Sequence, residues 1–146
     1  MRIISILSLL LITSLVFAGY DTETDKNGII LNGYDAVAYV TVSKALEGNP
    51  EITAEHNEAI YQFVSEENRD LFIADPEKYV PQYGGFCAFA MSFGKKVTVN
   101  GEAFHVKDGK TYVNKNIKIY KKWKKDIPSY IAKADKKWPE VEFKKP

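Results

Sequence analysis

Short β-prone runs separated by glycine and asparagine occupy the middle of the chain, and a helical period takes over towards its end. Ile29-Ile30-Leu31 and Val37-Ala38-Tyr39-Val40 are two such runs, with the turn signal Asn32-Gly33 between them. That pairing predicts a hairpin, while Gly33-Tyr34-Asp35 reads alternatively as a loop that presents its polar groups. Residues 43–50 read as a connection and residues 54–58, which contain His56, as a polar turn. Residues 59–64, Ala-Ile-Tyr-Gln-Phe-Val, predict a strand. Ser65 then caps a helix that starts Glu66-Glu67, where the dipole favours acids, and Asp75-Pro76 restarts a second turn that Pro81 ends.

Beyond Gly94, Lys96-Val97-Thr98-Val99 and Phe104-His105-Val106 predict strands separated by Asn100-Gly101, and Asp108-Gly109 turns the chain into Thr111-Tyr112-Val113. Ile117, Tyr120, Trp123 and Ile127 form one helical stripe; Pro128 breaks or restarts it, and Tyr130, Ile131, Ala134 and Trp138 continue a second stripe to Pro139. The predicted fold is α+β: a small antiparallel sheet packed by short helices, with a C-terminal helical arm pinned by Trp123 and Trp138. One domain spans residues 29–146, preceded by a loose arm over residues 19–28.

The first eighteen residues change the picture. Arg2 precedes an apolar run from Ile3 to Phe17 that ends Val16-Phe17-Ala18, the pattern of a secretory signal peptide over residues 1–18. The run is shorter than the roughly 20 residues of a spanning helix, and no cysteine follows to carry a lipid. The expected location is periplasmic or extracellular. Without Arg2 the 20 basic residues become 19, against 19 acidic ones, so the exported chain is formally neutral and has no global attraction to nucleic acid. Lysines nevertheless gather late, and Lys121, Lys122 and Lys124 offer a face for an acidic protein partner or a phospholipid surface; a merely solvated helix face is the alternative.

Candidate chemistry centres on Cys87, the single cysteine, in Tyr83-Gly84-Gly85-Phe86-Cys87-Ala88-Phe89-Ala90-Met91. An exported chain with one cysteine has no internal disulfide. The paired glycines read as a turn into a buried segment. If that segment is helical, Cys87 lies in its first turn, where backbone N–H groups favour a thiolate; the alternative is a small buried hydrophobe. Cys87, Met91 and either His105 or His56 form a soft donor set suited to copper. Cys87 with His105, oriented by Asp108, is the enzymatic alternative. Asp35 with Tyr34, Tyr39, Tyr61 or Tyr83 reads either as a ligand site or as a carboxylate that caps nearby backbone N–H groups. Phosphate loops, zinc-protease motifs, CxxC pairs and dinucleotide-binding glycines are missing.

The residues 32–39 (Asn-Gly-Tyr-Asp-Ala-Val-Ala-Tyr), Tyr61 to Asn68 with Phe72, Asp75 to Tyr79, Tyr83 to Ala88, Asp108 to Asn114, Trp123, Asp126, Ala134-Asp135 and Trp138-Pro139 together resemble the YHS domain family, in its small exported bacterial form. The resemblance covers nearly the whole exported chain. It implies a fold similar to treble-clef zinc domains and an association with copper or other heavy metals. In the metal-binding relatives, cysteines stand at positions that correspond to Ala38, Val64 and Asn68. The sequence departs from the pattern at all three, so the three-cysteine site of those relatives is absent, and one Cys with two His falls short of the four ligands of structural zinc.

The expected function is therefore a non-enzymatic binding role, with no catalytic residue assigned. The ligand is a small molecule met by Tyr34, Asp35, Tyr39, Tyr83 and Cys87, or copper held by Cys87, Met91 and His105. The alternatives are a thiol-based redox sensor or Cys/His enzyme at Cys87, and an interaction module using the lysine-rich helices.

Overall fold

Among the described residues, four side chains start helices by one device: an oxygen that accepts backbone N–H groups of the first turn, which otherwise have no partner. In the computed structural model, which describes residues 21–146, Asp35 caps α1 (Ala36–Thr41), Ser65 caps α2 (Glu66–Ala74), Asn116 caps α4 (Ile117–Trp123) and Asp126 caps α5 (Ile127–Val141). The short α3 (Ala88–Met91) lies between α2 and α4. The signal-peptide reading of residues 1–18 lies outside the described residues.

Two antiparallel hairpins complete the α+β fold: β1 (Asn49–His56) with β2 (Ala59–Phe63), and β3 (Asn100–Lys107) with β4 (Lys110–Asn114). They form separate two-stranded sheets rather than one. Asn57 and Glu58 both adopt positive φ, as do Asp108 and Gly109, the twist that a two-residue hairpin turn needs. The turn at Asp108-Gly109 is where the sequence places it.

Several predicted elements differ. Val37 to Val40 is helical, because the Asp35 carboxylate caps Val37 and Ala38 and outweighs the β preference of the run. Leu31–Gly33 forms a 3₁₀ turn instead of a hairpin end. β1 falls where a connection and a polar turn were expected: exposed Glu51, Thr53 and Glu55 alternate with half-buried Ile52, Ala54 and His56, an inward face too mixed to read as a strand. Lys96 to Val99 is not a strand, although the Val97 carbonyl accepts the Cys87 N–H at 3.0 Å. Asn100-Gly101 lies inside β3, next to a register shift, rather than ahead of it. A Cβ at Gly101 would collide with the Tyr34 ring and the Leu31 carbonyl, so close packing, not turning, requires this glycine.

The arm is also more ordered than its polarity suggests. Glu23 N–H donates to the Gly84 carbonyl at 2.8 Å, Asp25 N–H to that of Ile29 at 3.0 Å, and Thr24 bridges to Ile30. The core has two parts. Ile30, Leu31, Val37, Tyr39, Phe63, Phe72, Cys87 and Val113 form one; Tyr83, Phe86, Met91, Tyr112, Ala134 and fully buried Trp123 form the other. α5 lies over the second part, with Trp138 against the Tyr83 and Phe86 rings.

Candidate functional site

The loop before Cys87 is built from three successive left-handed residues, Tyr83 (φ 58°), Gly84 (φ 60°) and Gly85 (φ 83°). Such a conformation is easy for glycine and costs about 1 kcal/mol or more for tyrosine. A Cβ on Gly84 would meet the Asp21 carbonyl oxygen, so the docked arm requires this residue to be glycine. Tyr83 is held by burial and by its hydroxyl, which donates to Asp135 Oδ1 at 2.8 Å. Burial first, and the Asp135 carboxylate second, raise its pKa above the ordinary tyrosine value.

This geometry delivers Cys87 to the N-cap of α3 with 1 % of its surface exposed. Its Sγ–H points at Asn114 Oδ1, 3.6 Å away, and Sγ accepts the Lys115 N–H at 3.3 Å. Phe89 N–H also donates to Asn114 Oδ1, at 3.0 Å, which fixes the amide. Of the two readings of Cys87, this setting matches the small buried side chain and not the first-turn thiolate. Burial raises the thiol pKa and outweighs the opposing backbone N–H groups of Ala90, Lys115 and Phe89 and the Lys115 charge. Cys87 is a neutral thiol at neutral pH.

The remaining predicted donors are engaged elsewhere. Met91 donates its N–H to the Cys87 carbonyl at 2.9 Å, but its side chain packs in the Trp123 part of the core. His105 Nδ1 bonds Tyr120 Oη at 2.9 Å, and its ring stands edge-on to Trp123. Burial, then the charges of Lys124 and Lys107, hold the imidazole below its ordinary pKa. Asp108 pairs with Lys107 at 2.9 Å, so it does not orient His105. His56 Nε2 lies 3.2 Å from Glu77 Oε1. Among the described residues, no group of three or more His, Cys, Asp or Glu side chains could hold a metal ion.

The tyrosine set divides. Tyr34 donates its hydroxyl to Glu102 at 3.1 Å and Tyr39 to the Gly101 carbonyl at 2.6 Å, so both stitch the α1 region to β3. Asp35 is fully buried and saturated. Oδ1 accepts Val37 N–H (2.8 Å) and Ala38 N–H (3.1 Å); Oδ2 accepts Val64 N–H (2.9 Å) and Asn68 Nδ2–H (2.8 Å). Its geometry is that of the capping carboxylate.

Of the residues the sequence offers for a ligand site, Tyr83 and Tyr61 line a cleft of about 420 Å³, whose walls include Gly84, Trp138, Asp135, His56 and Glu77. That volume falls within the usual range for a small-molecule site. The cleft was hidden in the sequence because the arm, the β1–β2 turn, residues 77–84 and α5 each contribute to it. Asn114 was missed as the thiol's partner; its place at the end of a predicted strand gives no sign that it is buried.

The structure thus defines a small α+β domain with one neutral buried thiol and an open polar–aromatic cleft beside the loop that carries it. No family model, curated protein or solved structure matches the chain. Among the described residues, no helix is long and apolar enough to cross a membrane.

Proposed function

We propose that this chain is an exported YHS-type domain with a non-enzymatic role, which binds a small ligand in the cleft bordered by Tyr83, Gly84 and Trp138. The observation that carries this reading is the cleft's position: the left-handed Tyr83-Gly84 corner, fixed by Asp135, forms its wall four residues before Cys87. The protonated thiol, bonded to an amide and not an imidazole, favours binding over nucleophilic chemistry. The YHS-type part of the reading rests on the sequence resemblance, from which Ala38, Val64 and Asn68 depart. At these positions the chain places the Ala38 and Val64 backbone N–H groups and the Asn68 amide, all of which donate to one carboxylate, Asp35, where a three-cysteine site would otherwise stand.

Amide chemical shifts measured with a mixture of small aromatic and polar fragments test the cleft. Shifts concentrated at Tyr83, Gly84 and Trp138 and lost in Gly84→Val support the reading. Shifts concentrated elsewhere overturn it. Copper(I), titrated separately, reads the alternative: perturbation centred on Cys87 and Met91, abolished by Cys87→Ser with the cleft silent, would move the function to the thiol.

A further inference from the structure

The cleft and the thiol leave α4 without a role, although it carries the strongest local charge in the chain. Between Asp108 and Asp126 the sequence contains no acidic residue, while Lys110, Lys115, Lys118, Lys121, Lys122, Lys124 and Lys125 all fall within that stretch. Lys118, Lys121, Lys122 and Lys125 stand at helical positions i, i+3, i+4 and i+7, one side of α4 and of the 3₁₀ turn that continues it over Lys124–Asp126. All four are exposed. The opposite side is anchored by Ile119, Tyr120 and fully buried Trp123, so the lysines are aimed at solvent by the packing beneath them. Ile117, 42 % exposed, adds an apolar edge at the start of the helix.

The geometry points to a peripheral docking face for an anionic phospholipid surface. Lysine ammonium groups are point charges that suit a diffuse layer of phosphate, whereas stereospecific recognition of phosphate or carboxylate favours the arginine fork. No arginine lies on this stretch. Nucleic acid fits poorly: Trp123 is buried and Tyr120 is half-buried with the Lys124 ammonium 5.3 Å from its ring centroid, so no open aromatic face is offered to a base. Point-like ammonium charges along one helix face, with no arginine fork among them, also give little selectivity for the carboxylates of a folded acidic protein.

The test measures binding of the full chain to phosphatidylcholine vesicles and to vesicles of equal parts phosphatidylcholine and phosphatidylglycerol. The apolar run at residues 3–17 acts on both, so the readout is the tighter binding to the anionic vesicles. We expect a gain on the order of a hundredfold at low salt, abolished near 1 M salt, where the Debye length is about 3 Å. The combined variant Lys118→Glu, Lys121→Glu, Lys122→Glu, Lys125→Glu should lose the gain, and Lys→Gln at the same four positions should lose it without adding charge. Lys133→Glu with Lys136→Glu, on α5, should retain most of it. Far-UV circular dichroism checks that each variant is folded. No gain on anionic vesicles, a gain that survives in the fourfold variants, or equal loss in the α5 control overturns the proposal. Binding to polyglutamate that needs the four lysines, with no vesicle gain, also overturns it and assigns the face to an acidic protein.

Discussion

Asn68 reaches from the first turn of α2 to place its Nδ2 2.8 Å from Asp35 Oδ2, tying that helix to the cap of α1. The same oxygen takes the Val64 N–H at the end of β2, so one buried carboxylate joins three elements. Asp35→Ala would leave the buried N–H groups of Val37 and Ala38, and the part-buried one of Val64, without their acceptor. Unmet buried donors cost about 1–3 kcal/mol each, partly relieved by relaxation. The expected loss is about 3 kcal/mol or more, measured by urea unfolding. Asn68→Ala removes one of the four donors and should cost about 1–2 kcal/mol. A loss under about 1 kcal/mol for Asp35→Ala would show that the carboxylate is dispensable to the fold.

Cys87 carries a pH dependence with a definite sign. Burial raises the folded-state thiol pKa above the value of about 8.5 in an unfolded chain. The group therefore contributes its full stability below about pH 8.5, and that contribution declines as pH rises towards the folded pKa, because the unfolded state deprotonates first. Between pH 8 and about 9.5, before unfolded tyrosines titrate, stability should fall more steeply in the natural protein than in Cys87→Ala. Alkylation of the folded protein should likewise be slow and accelerate sharply in denaturant. Rapid reaction at pH 7 with an apparent pKa below 8.5 would contradict the buried-thiol geometry.

Elements governed by neighbours in sequence were legible. Ser65 before Glu66-Glu67 marks α2, Asp108-Gly109 marks the β3–β4 turn, and the spacing of Ile117, Tyr120 and Trp123 marks α4. Illegible features depend on contacts across the chain. Asp35 decides that Val37 to Val40 is helical, and its acceptors' partners at Val64 and Asn68 cannot be read locally. β1 presents His56 and Ala54 inward, a pattern with little hydrophobic contrast. At the candidate site the sequence indicates Tyr83 and Cys87, but not the difference in their surroundings. Asp135, 52 positions later in the chain, secures the Tyr83 hydroxyl, while Asn114 takes the thiol.

Gly101 provides a test of close packing that is independent of backbone handedness, since its φ is not positive. Its amide donates to Asn32 Oδ1 at 2.7 Å and its carbonyl accepts the buried Tyr39 hydroxyl at 2.6 Å. Gly101→Ala would push a methyl into the Tyr34 ring and the Leu31 carbonyl. Overpacking of this kind costs about 1–3 kcal/mol. Tyr39→Phe, which removes only the hydroxyl, should cost about 1 kcal/mol through the unpaired Gly101 carbonyl. The order of the two midpoints in urea checks the assignment: Gly101→Ala must be the less stable variant.

Glu23 couples pH to the wall of the cleft. Its carboxyl is raised to about 7, by burial first and by Asp25 second, from an unfolded value of about 4.3. A carboxyl raised by burial favours the folded state most when protonated. Its contribution is thus fully present below about pH 4.3 and is lost as pH rises through 7. Glu23 N–H bonds the Gly84 carbonyl, so ionisation should loosen the arm where it meets Tyr83-Gly84. Amide exchange at Glu23, corrected for the intrinsic pH dependence, should show less protection at pH 8 than at pH 5.5, and Glu23→Gln should retain protection at both. Equal protection across that interval in the natural protein would mean that the carboxylate ionises without disturbing the arm, and the cleft wall would then be insensitive to pH.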